Sequence, residues 1–364
     1  MMERSRTGRP QAAGSQSANA RERTPMSIRR YRLILLGLAG LLLVGALISL
    51  GVGAVFLEPD RVLAALLRRN DPTVSVMDAA IVWDLRLARI LLGMLIGGGL
   101  AASGAAFQGL FRNPLADPFI VGASGGAALG ATLAITLGLQ WSGAGFGPVP
   151  LAAFVGALIA VTLAYSVAEV GGSTSVVTLL LAGSALSTLF SAIVALLMTL
   201  SDSNLHETYS WLLGGLSGRS WGHLGASWPY LLLGSLGLWL CARPLDALAC
   251  GEETAQTLGL SVRRARLFII VLATLTTAAA VASGGIIGFV GLIAPHIARL
   301  FFGSSHARLI PASILVGGLL MLLADGIART VLAPIELPVG IVTSVLGGPF
   351  FLYLLKSRQR ELGG

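Results

Sequence analysis

Charged side chains are scarce in this chain, and lysine is almost absent. Only 12% of the 364 residues are Asp, Glu, Lys or Arg, and Lys356 is the single lysine. In soluble globular domains roughly a quarter of the residues are charged, so this composition excludes an ordinary soluble domain. The hydrophobic fraction is 55%, and glycine is frequent, with 47 residues. Because glycine lets helices pack closely in lipid, the composition predicts an all-α, polytopic membrane protein.

Motifs for nucleotide binding and for catalysis are also missing. A phosphate-binding loop ends in Gly-Lys-Ser or Gly-Lys-Thr, whereas Lys356 follows Leu355. The four histidines are scattered, and Cys241 and Cys250 have no nearby histidines that would complete a zinc site. The sequence therefore predicts no catalytic residue, no metal and no cofactor in this chain. If ATP drives its activity, a partner subunit must bind the ATP and Mg²⁺.

Hydrophobic runs divide the chain into about ten segments, each near the roughly 20 apolar residues that a bilayer requires. Residues 1–30 are polar, and we expect a disordered cytoplasmic tail there. Residues 31–364 form the predicted transmembrane domain. The stretch 201–227 has room for a short additional helix. The predicted spans lie near residues 33–55, 88–110, 115–137, 149–169, 176–200, 228–242, 265–282, 286–302, 309–330 and 338–355.

The distribution of positive charge predicts the orientation of the spans. The net charge of +8 does not indicate a nucleic-acid partner, because the arginines cluster at the ends of spans. Cytoplasmic loops of membrane proteins carry an excess of Lys and Arg, and this rule places both termini inside. We therefore expect a multi-pass protein of the plasma (inner) membrane. Seven basic residues remain on the outer side, namely Arg61, Arg68, Arg69, Arg86, Arg89, Arg219 and Arg329.

The largest predicted inner loop, at about residues 244–264, has an apolar stripe. Leu245, Leu248, Ala255 and Leu258 fall near helical spacing, and glycines punctuate the loop. Two short amphipathic helices are the predicted structure. The length of the loop and its stripe favour a protein-docking surface over a simple connection.

Two spans carry charged or polar residues that are expensive in a membrane. Phe289 to Arg299 reads FVGLIAPHIAR, which places Pro295, His296 and Arg299 at the end of an apolar stretch. Asp325 and Arg329 are four residues apart, so they share a helix face. A structural ion pair and a proton relay both fit this second pattern.

Several motifs together resemble the permease family of ABC importers for iron-siderophores, haem and vitamin B12, the type II importers. The resemblance covers nearly the whole chain after Arg30, with one departure at Ala88, where the family usually has proline. The motifs are Leu85-Arg86-Leu87-Ala88-Arg89; Gln108 with Asn113-Pro114-Leu115-Ala116; Gly122 to Gly126; Gly251-Glu252 to Leu258-Gly259; the Pro295-His296 segment; Asp325 to Arg329; Glu336-Leu337-Pro338-Val339-Gly340; and Gly348-Pro349-Phe350.

This resemblance implies a ten-helix subunit that pairs with a second copy of itself. It also implies two cytoplasmic ATPase subunits and an extracytoplasmic substrate-binding protein as partners. The short turn Ser173-Thr174-Ser175 would form an inner gate, and Arg86, Arg89 and Arg329 would receive acidic residues of the binding protein. The loop that docks on the ATPase would use Glu252, Glu253, Thr254, Ala255, Leu258 and Gly259.

The predicted function is therefore that of a transport subunit of an ABC importer for a metal chelate. An iron-siderophore, haem and cobalamin all remain open as substrates. The alternative is an ion-coupled secondary transporter, which needs coupling acids near mid-membrane. Asp325 is the one plausible candidate for such an acid, and the sequence already gives it Arg329 as a partner.

Overall fold

The computed structural model describes residues 27–68, 74–140, 147–170 and 173–362. Most of the predicted tail, residues 1–26, therefore lies outside the described part of the chain. The described residues form fifteen α-helices, α1 to α15 in chain order. They are Ile28–Gly51, Pro59–Leu67, Val76–Ala80, Ala88–Leu110, Ala123–Thr136, Pro148–Ala168, Val176–Leu200, Leu205–Leu212, Trp221–Leu240, Ala242–Ala249, Glu252–Thr257, Val262–Gly284, Val290–Phe302, His306–Thr330 and Val339–Leu362.

Short irregular elements complete the fold. A π-helical turn, Ile81–Leu87, joins α3 to α4, and 3₁₀ turns cover Pro118–Val121 and Asp202–Asn204. Two short antiparallel strands, β1 (Glu169–Val170) and β2 (Ser173–Thr174), lie between α6 and α7.

Each of the ten predicted spans corresponds to a helix, but the helices differ in length. Within the described residues, seven helical segments are long and apolar enough to cross a bilayer. Helices α9 and α10 form a bent pair with an angle of 53°, and α5 and α13 are shorter apolar helices. The protein is thus a multi-pass membrane protein, while the count of ten spans stays a prediction. Helix α1 begins at Ile28, inside the predicted tail, and α9 begins at Trp221, seven residues before the predicted span.

Close glycine contacts hold α4 in the centre of the fold. A Cβ atom on Gly97 would lie 2.2 Å from the carbonyl oxygen of Gly317 in α14. One on Gly104 would lie 1.8 Å from the carbonyl oxygen of Gly291 in α13. The backbones therefore touch at positions that admit no side chain, as expected for helix packing without water. Helices α4 and α14 pack antiparallel to each other in the core, and they carry polar residues that are described below.

The shortness of α5 and α13 follows from where they begin. Gly291, at the start of α13, packs against the ring of Pro118 and the backbone of Leu100, near the middle of α4. A 3₁₀ turn leads into α5 and a non-helical segment leads into α13, and positive φ angles at Gly122 (97°) and Phe289 (68°) mark the two breaks. Both short helices thus start near the middle of the bundle. Such broken spans are tolerated where neighbouring protein satisfies the backbone.

Candidate functional site

A group of five charged side chains lies at the predicted outer end of α4 and α14. This arginine cluster consists of Arg86, Arg89, Asp325, Arg329 and Glu336. A guanidinium nitrogen of Arg89 lies 2.8 Å from Asp325 Oδ1, and another lies 2.8 Å from Glu336 Oε2. Arg329 Nε lies 3.0 Å from Asp325 Oδ2. The predicted Asp325–Arg329 pair is therefore present, and it belongs to a larger network.

The other contacts of the cluster reach the end of α1. Arg86 donates to the carbonyl oxygen of Leu50 at 2.6 Å and also to that of Val55. Arg329 donates to the carbonyl oxygen of Val52 at 2.8 Å. The last carbonyl groups of a helix have no partner inside the helix and carry partial negative charge, so two cations are well placed there.

The three arginines of the cluster are buried, which differs from the exposed docking surface that the sequence predicts. The exposed fractions of Arg86, Arg89 and Arg329 are 7%, 7% and 3%. In this structure the three arginines do not present exposed positive charge, because carboxylates and backbone carbonyls already surround them. Their role in receiving a binding protein stays a prediction, and it requires that the cluster open.

Glu336 is the accessible member of the cluster. It lies between α14 and α15, and 32% of its side chain is exposed. Partial burial of the carboxyl acts to raise its pKa, but the hydrogen bond and charge of Arg89, with smaller contributions from Ser217 and Arg329, lower the pKa below its ordinary value. Glu336 is therefore a carboxylate at neutral pH.

Arg299, at the end of the FVGLIAPHIAR segment, finds a partner at the predicted inner end of α4. Pro295 has no N–H group, so it cannot donate to the carbonyl group of Gly291 four residues earlier. Gln108 Nε2 lies 3.4 Å from that carbonyl oxygen, and Gln108 Oε1 accepts from Arg299 at 2.9 Å. Gln108 of α4 thus compensates for the proline and also holds Arg299 of α13, which explains one polar residue in each of two apolar helices.

A second polar group, the histidine joint, links α10 to the start of α14. It consists of Asp246, Ser305 and His306. Asp246 Oδ1 accepts from the backbone N–H of His306 at 2.8 Å and lies 2.5 Å from its Nδ1, and Ser305 Oγ donates to Oδ2 at 3.1 Å. Partial burial acts to raise the pKa of Asp246, but hydrogen bonds from His306 and Ser305 lower it below the ordinary value.

A cavity of about 580 Å³ lies between these two groups. Its wall includes Gln108 and Arg299 from the first group and Asp246, Ser305 and His306 from the second. Arg112, in the turn after α4, also contributes to the wall. The predicted inner face therefore carries a charged recess beside the loop that follows α9.

The predicted pair of short helices in that loop is confirmed as α10 and α11. Leu245, Leu248 and Ala255 are buried against the rest of the subunit, whereas Leu258 is 71% exposed. Glu252, at the start of α11, forms an ion pair with Arg266 of α12. The loop is therefore fixed on one side and offers an apolar side chain on the other.

The predicted inner gate lies beside this loop. Ser173 and Thr174 form β2, whose partner strand is β1, and Ser175 caps α7 by accepting from the N–H of Thr178 at 3.3 Å. The side chains of Ser173 and Thr174 lie outside the described part of the structure. Glu169 of β1 pairs with Arg263 of α12, which ties this hairpin to the helix that follows the loop.

Comparison with known proteins shows the family to which this chain belongs. The model of the FecCD transport family matches residues 41–357. This chain belongs to the FecCD transport family. It is 47% identical over 279 residues to the cobalamin import system permease protein BtuC of Halobacterium salinarum, with 77% of this chain and 74% of that protein covered. It is 42% identical over 290 residues to the hemin transport system permease protein HmuU of Yersinia pestis, with 77% and 84% covered.

A solved structure agrees with this assignment. An inward-facing structure described as that of a metal-chelate type ABC transporter matches with a TM-score of 0.79 and 34% sequence identity, covering 90% of this chain and 100% of that chain. The resemblance inferred from the sequence and the all-α membrane fold are both confirmed. The FecCD family is a family of transport proteins, which agrees with the prediction of a transport subunit rather than an enzyme.

Sequence reasoning missed the connections between distant residues. The histidine joint and the contacts of Gln108 with α13 were not predicted, since their members are between 59 and 191 residues apart. One signal was present in the sequence: a proline inside an apolar helix leaves a carbonyl group that needs a donor, and Gln108 is a polar residue inside the neighbouring span.

Proposed function

We propose that this chain is the membrane permease subunit of an ATP-driven ABC importer that moves a metal chelate into the cytoplasm. The family match over residues 41–357, with relatives named as import permeases, carries this proposal. The functional unit would contain two copies of the chain, two cytoplasmic ATPase subunits and an extracytoplasmic binding protein. ATP and Mg²⁺ would bind to the ATPase subunits. The assembly would lie in the plasma (inner) membrane with both termini of this chain cytoplasmic.

The names of the relatives indicate the class of substrate. The two relatives are named for cobalamin and for hemin, which are both large metal chelates. An iron-siderophore belongs to the same class. We propose that the binding protein selects the ligand and that this subunit provides the path at the interface of the two copies.

The inner face supplies the proposed coupling and gating elements. The coupling loop would dock on the ATPase through Glu252, Glu253, Thr254, Ala255, Leu258 and Gly259. The exposure of Leu258 supports this role, because helix docking depends on a few apolar anchors. Ser173, Thr174 and Ser175 would close the path on the cytoplasmic side.

The structure weakens the case for an ion-coupled secondary transporter. Such a transporter needs an acid that can exchange ions or protons during transport. The candidate acid, Asp325, is 2% exposed and lies within 3.0 Å of guanidinium nitrogens of both Arg89 and Arg329. Both of its carboxylate oxygens are already paired with guanidinium groups, so Asp325 is poorly placed to bind a coupling ion.

Uptake into proteoliposomes tests the proposal. The complete assembly is reconstituted with radiolabelled cobalamin, haem or an iron-siderophore outside, each with its binding protein. We expect uptake of one class that requires ATP and survives an uncoupler, and no ATP hydrolysis by this chain alone. Uptake that proceeds without ATP and stops with the uncoupler would support the secondary transporter.

A further inference from the structure

We propose that Asp246 and His306 transmit movement of the coupling loop, at about residues 244–264, to α14, and through α14 to the arginine cluster. This inference rests on the proposed function and adds positioning residues to it. Asp246 belongs to α10 in the loop, whereas His306 is the first residue of α14. These two residues thus connect the loop directly to the helix that carries Asp325 and Arg329.

The first argument is that Asp246 takes the place of a helix cap. Ser305 is the N-cap residue of α14, yet within the described residues its side chain accepts no capping hydrogen bond from its own helix. Its hydroxyl instead donates to Asp246, which also accepts the backbone N–H of His306 at 2.8 Å. A carboxylate at the positive end of a helix is favourable. The N-terminus of α14 is therefore closed by a residue of the coupling loop.

The second argument is that the ring of His306 has no free space in which to move. The residue is 2% exposed, and its ring lies against the backbone of α4. A Cβ atom on Gly109 would lie 2.2 Å from His306 Nε2, so the ring fills the space that any larger residue would need. A displacement of α10 therefore has to shift α14 relative to α4, or else break the contacts of Asp246.

The third argument is the length and direction of α14. From His306 to Asp325 the helix spans about 29 Å at 1.5 Å per residue. Asp325 pairs there with Arg89, close to the opposite end of α4 from Gly109. One pair of helices, α4 and α14, thus meets the loop at one end and the arginine cluster at the other. A contiguous packed path of this kind can carry coupling if it has two arrangements, which an experiment must establish.

A competing path exists through α12. Glu252 of the loop pairs with Arg266, so movement of α11 also reaches the start of α12. That path does not touch the histidine joint. Variants of Asp246 and His306 therefore separate the two paths.

The experiment compares Asp246→Ala, Asp246→Asn, His306→Gln and the double variant Asp246→Ala/His306→Gln in the complete reconstituted assembly. Three quantities are measured: copurification of the ATPase subunits, binding-protein-stimulated ATP hydrolysis, and substrate taken up per ATP hydrolysed. Glu207→Ala is the control, because Glu207 is an exposed acid on α8 with no role in either cluster.

We expect Asp246→Ala to retain the ATPase subunits and hydrolysis but to lower uptake per ATP about tenfold, the size of effect that loss of one charge-assisted hydrogen bond has on an equilibrium. For Asp246→Asn we expect an uptake per ATP between those of the native protein and of Asp246→Ala, because the amide oxygen can still accept the N–H of His306. The double variant should be no worse than Asp246→Ala alone, because both changes interrupt one path.

A second readout reports on the far end of α14. Val331→Cys, which replaces an exposed residue directly after α14, is labelled with maleimide in a background that also carries Cys241→Ser and Cys250→Ser. In the otherwise native assembly, the labelling rate should change when ATP is added. Asp246→Ala should abolish that change.

The inference is wrong if Asp246→Ala and His306→Gln keep native uptake per ATP and the native ATP-dependent labelling of Val331→Cys. It is also wrong if these variants lose only the ATPase subunits, since Asp246 would then merely shape the docking loop. If the native assembly itself shows no ATP-dependent uptake, the proposed function fails instead, and the two failures are distinct.

Discussion

Arg89 and Asp325 form a 2.8 Å ion pair, although 236 residues separate them in the sequence. The pair joins α4 to α14 at one end, and the contact of Gly109 with His306 joins the same helices at the other. Between these two points Gly97 and Gly317 bring the backbones together. Helices α4 and α14 thus contact each other near both ends and in the middle, and these contacts define the positions of the polar residues near their ends.

Removal of Asp325 should destabilise the protein far more than neutralisation of Glu336. Asp325→Ala leaves Arg89 and Arg329 buried without their shared carboxylate, and breaking a buried pair in this way costs about 3–5 kcal/mol. Glu336→Gln removes a carboxylate that is 32% exposed, and exposed pairs are worth about 0–1 kcal/mol. Thermal unfolding of the purified protein in detergent measures the difference. Equal losses of stability in the two variants would show that the cluster does not act as a buried network.

The position of the helices could be predicted from the sequence, because a hydrophobic run of bilayer length has few alternatives. The start of α9 at Trp221 is an instructive exception. Pairing of Trp221 with Trp83, through a 2.9 Å hydrogen bond from its indole nitrogen and ring stacking, extends the helix beyond the apolar run. A contact with a residue 138 positions away is not visible in a hydropathy pattern.

The candidate site was predictable only where its residues are close in sequence. Asp325 and Arg329 share a helix face at four-residue spacing, and their pairing was expected. The addition of Arg89 and Glu336 depends on how three segments pack, which spacing alone does not encode. The same limit explains the burial of Arg86, Arg89 and Arg329, because a residue at the end of a span can face either water or the protein.

Placing a negative charge at Leu258 should uncouple or disassemble the transporter. Leu258 is 71% exposed at the end of α11, while its neighbour Ala255 is buried in the subunit. Leu258→Asp would put a charge at the apolar anchor that we propose docks on the ATPase, so we expect loss of ATPase copurification or of coupled uptake. The membrane-inserted protein should keep its thermal stability, because the side chain contributes little to the subunit's own core.

Gln256→Asp is the matched control for Leu258→Asp. Gln256 is an exposed polar residue two positions earlier on the same short helix, so the variant adds the same charge without removing an apolar anchor. Native coupling in Gln256→Asp together with loss in Leu258→Asp would support the anchor. If Leu258→Asp transports normally, α11 has no role as an apolar docking element.

A cysteine at Thr174 should report the state of the proposed inner gate. Thr174 lies in β2 and pairs with Glu169. In a dimer with the gate on the two-fold axis, Thr174→Cys in both copies should cross-link more in one nucleotide state than in another. The native cysteines are first replaced by serine, since Cys250 is exposed. Equal cross-linking in all nucleotide states, or none in any state, would indicate that this hairpin is only a connector.

The final prediction concerns how a binding protein could reach buried arginines. Arg89 has two carboxylate partners, of which Asp325 is 2% exposed. Glu336 is the partner that can leave, because it lies outside the helices and is partly exposed. An incoming glutamate of a binding protein would therefore have to replace Glu336 on Arg89. Opposite charges that meet in this way set orientation and encounter rate more than final affinity.

If Glu336 is such an internal competitor, then Glu336→Gln should strengthen docking of the binding protein. A neutral amide holds Arg89 less firmly than a carboxylate does, so we expect the association rate to rise about fivefold, which corresponds to the upper value of a partly exposed pair. The rate should fall as salt is added, because the charges are screened. Glu207→Gln, which alters an exposed acid on α8 away from the cluster, should leave the rate unchanged. Surface plasmon resonance with immobilised transporter at two salt concentrations measures these rates. A slower association in Glu336→Gln would mean that Glu336 helps to shape the docking surface, and an unchanged rate would mean that the arginine cluster serves only to join α4, α14 and the end of α1.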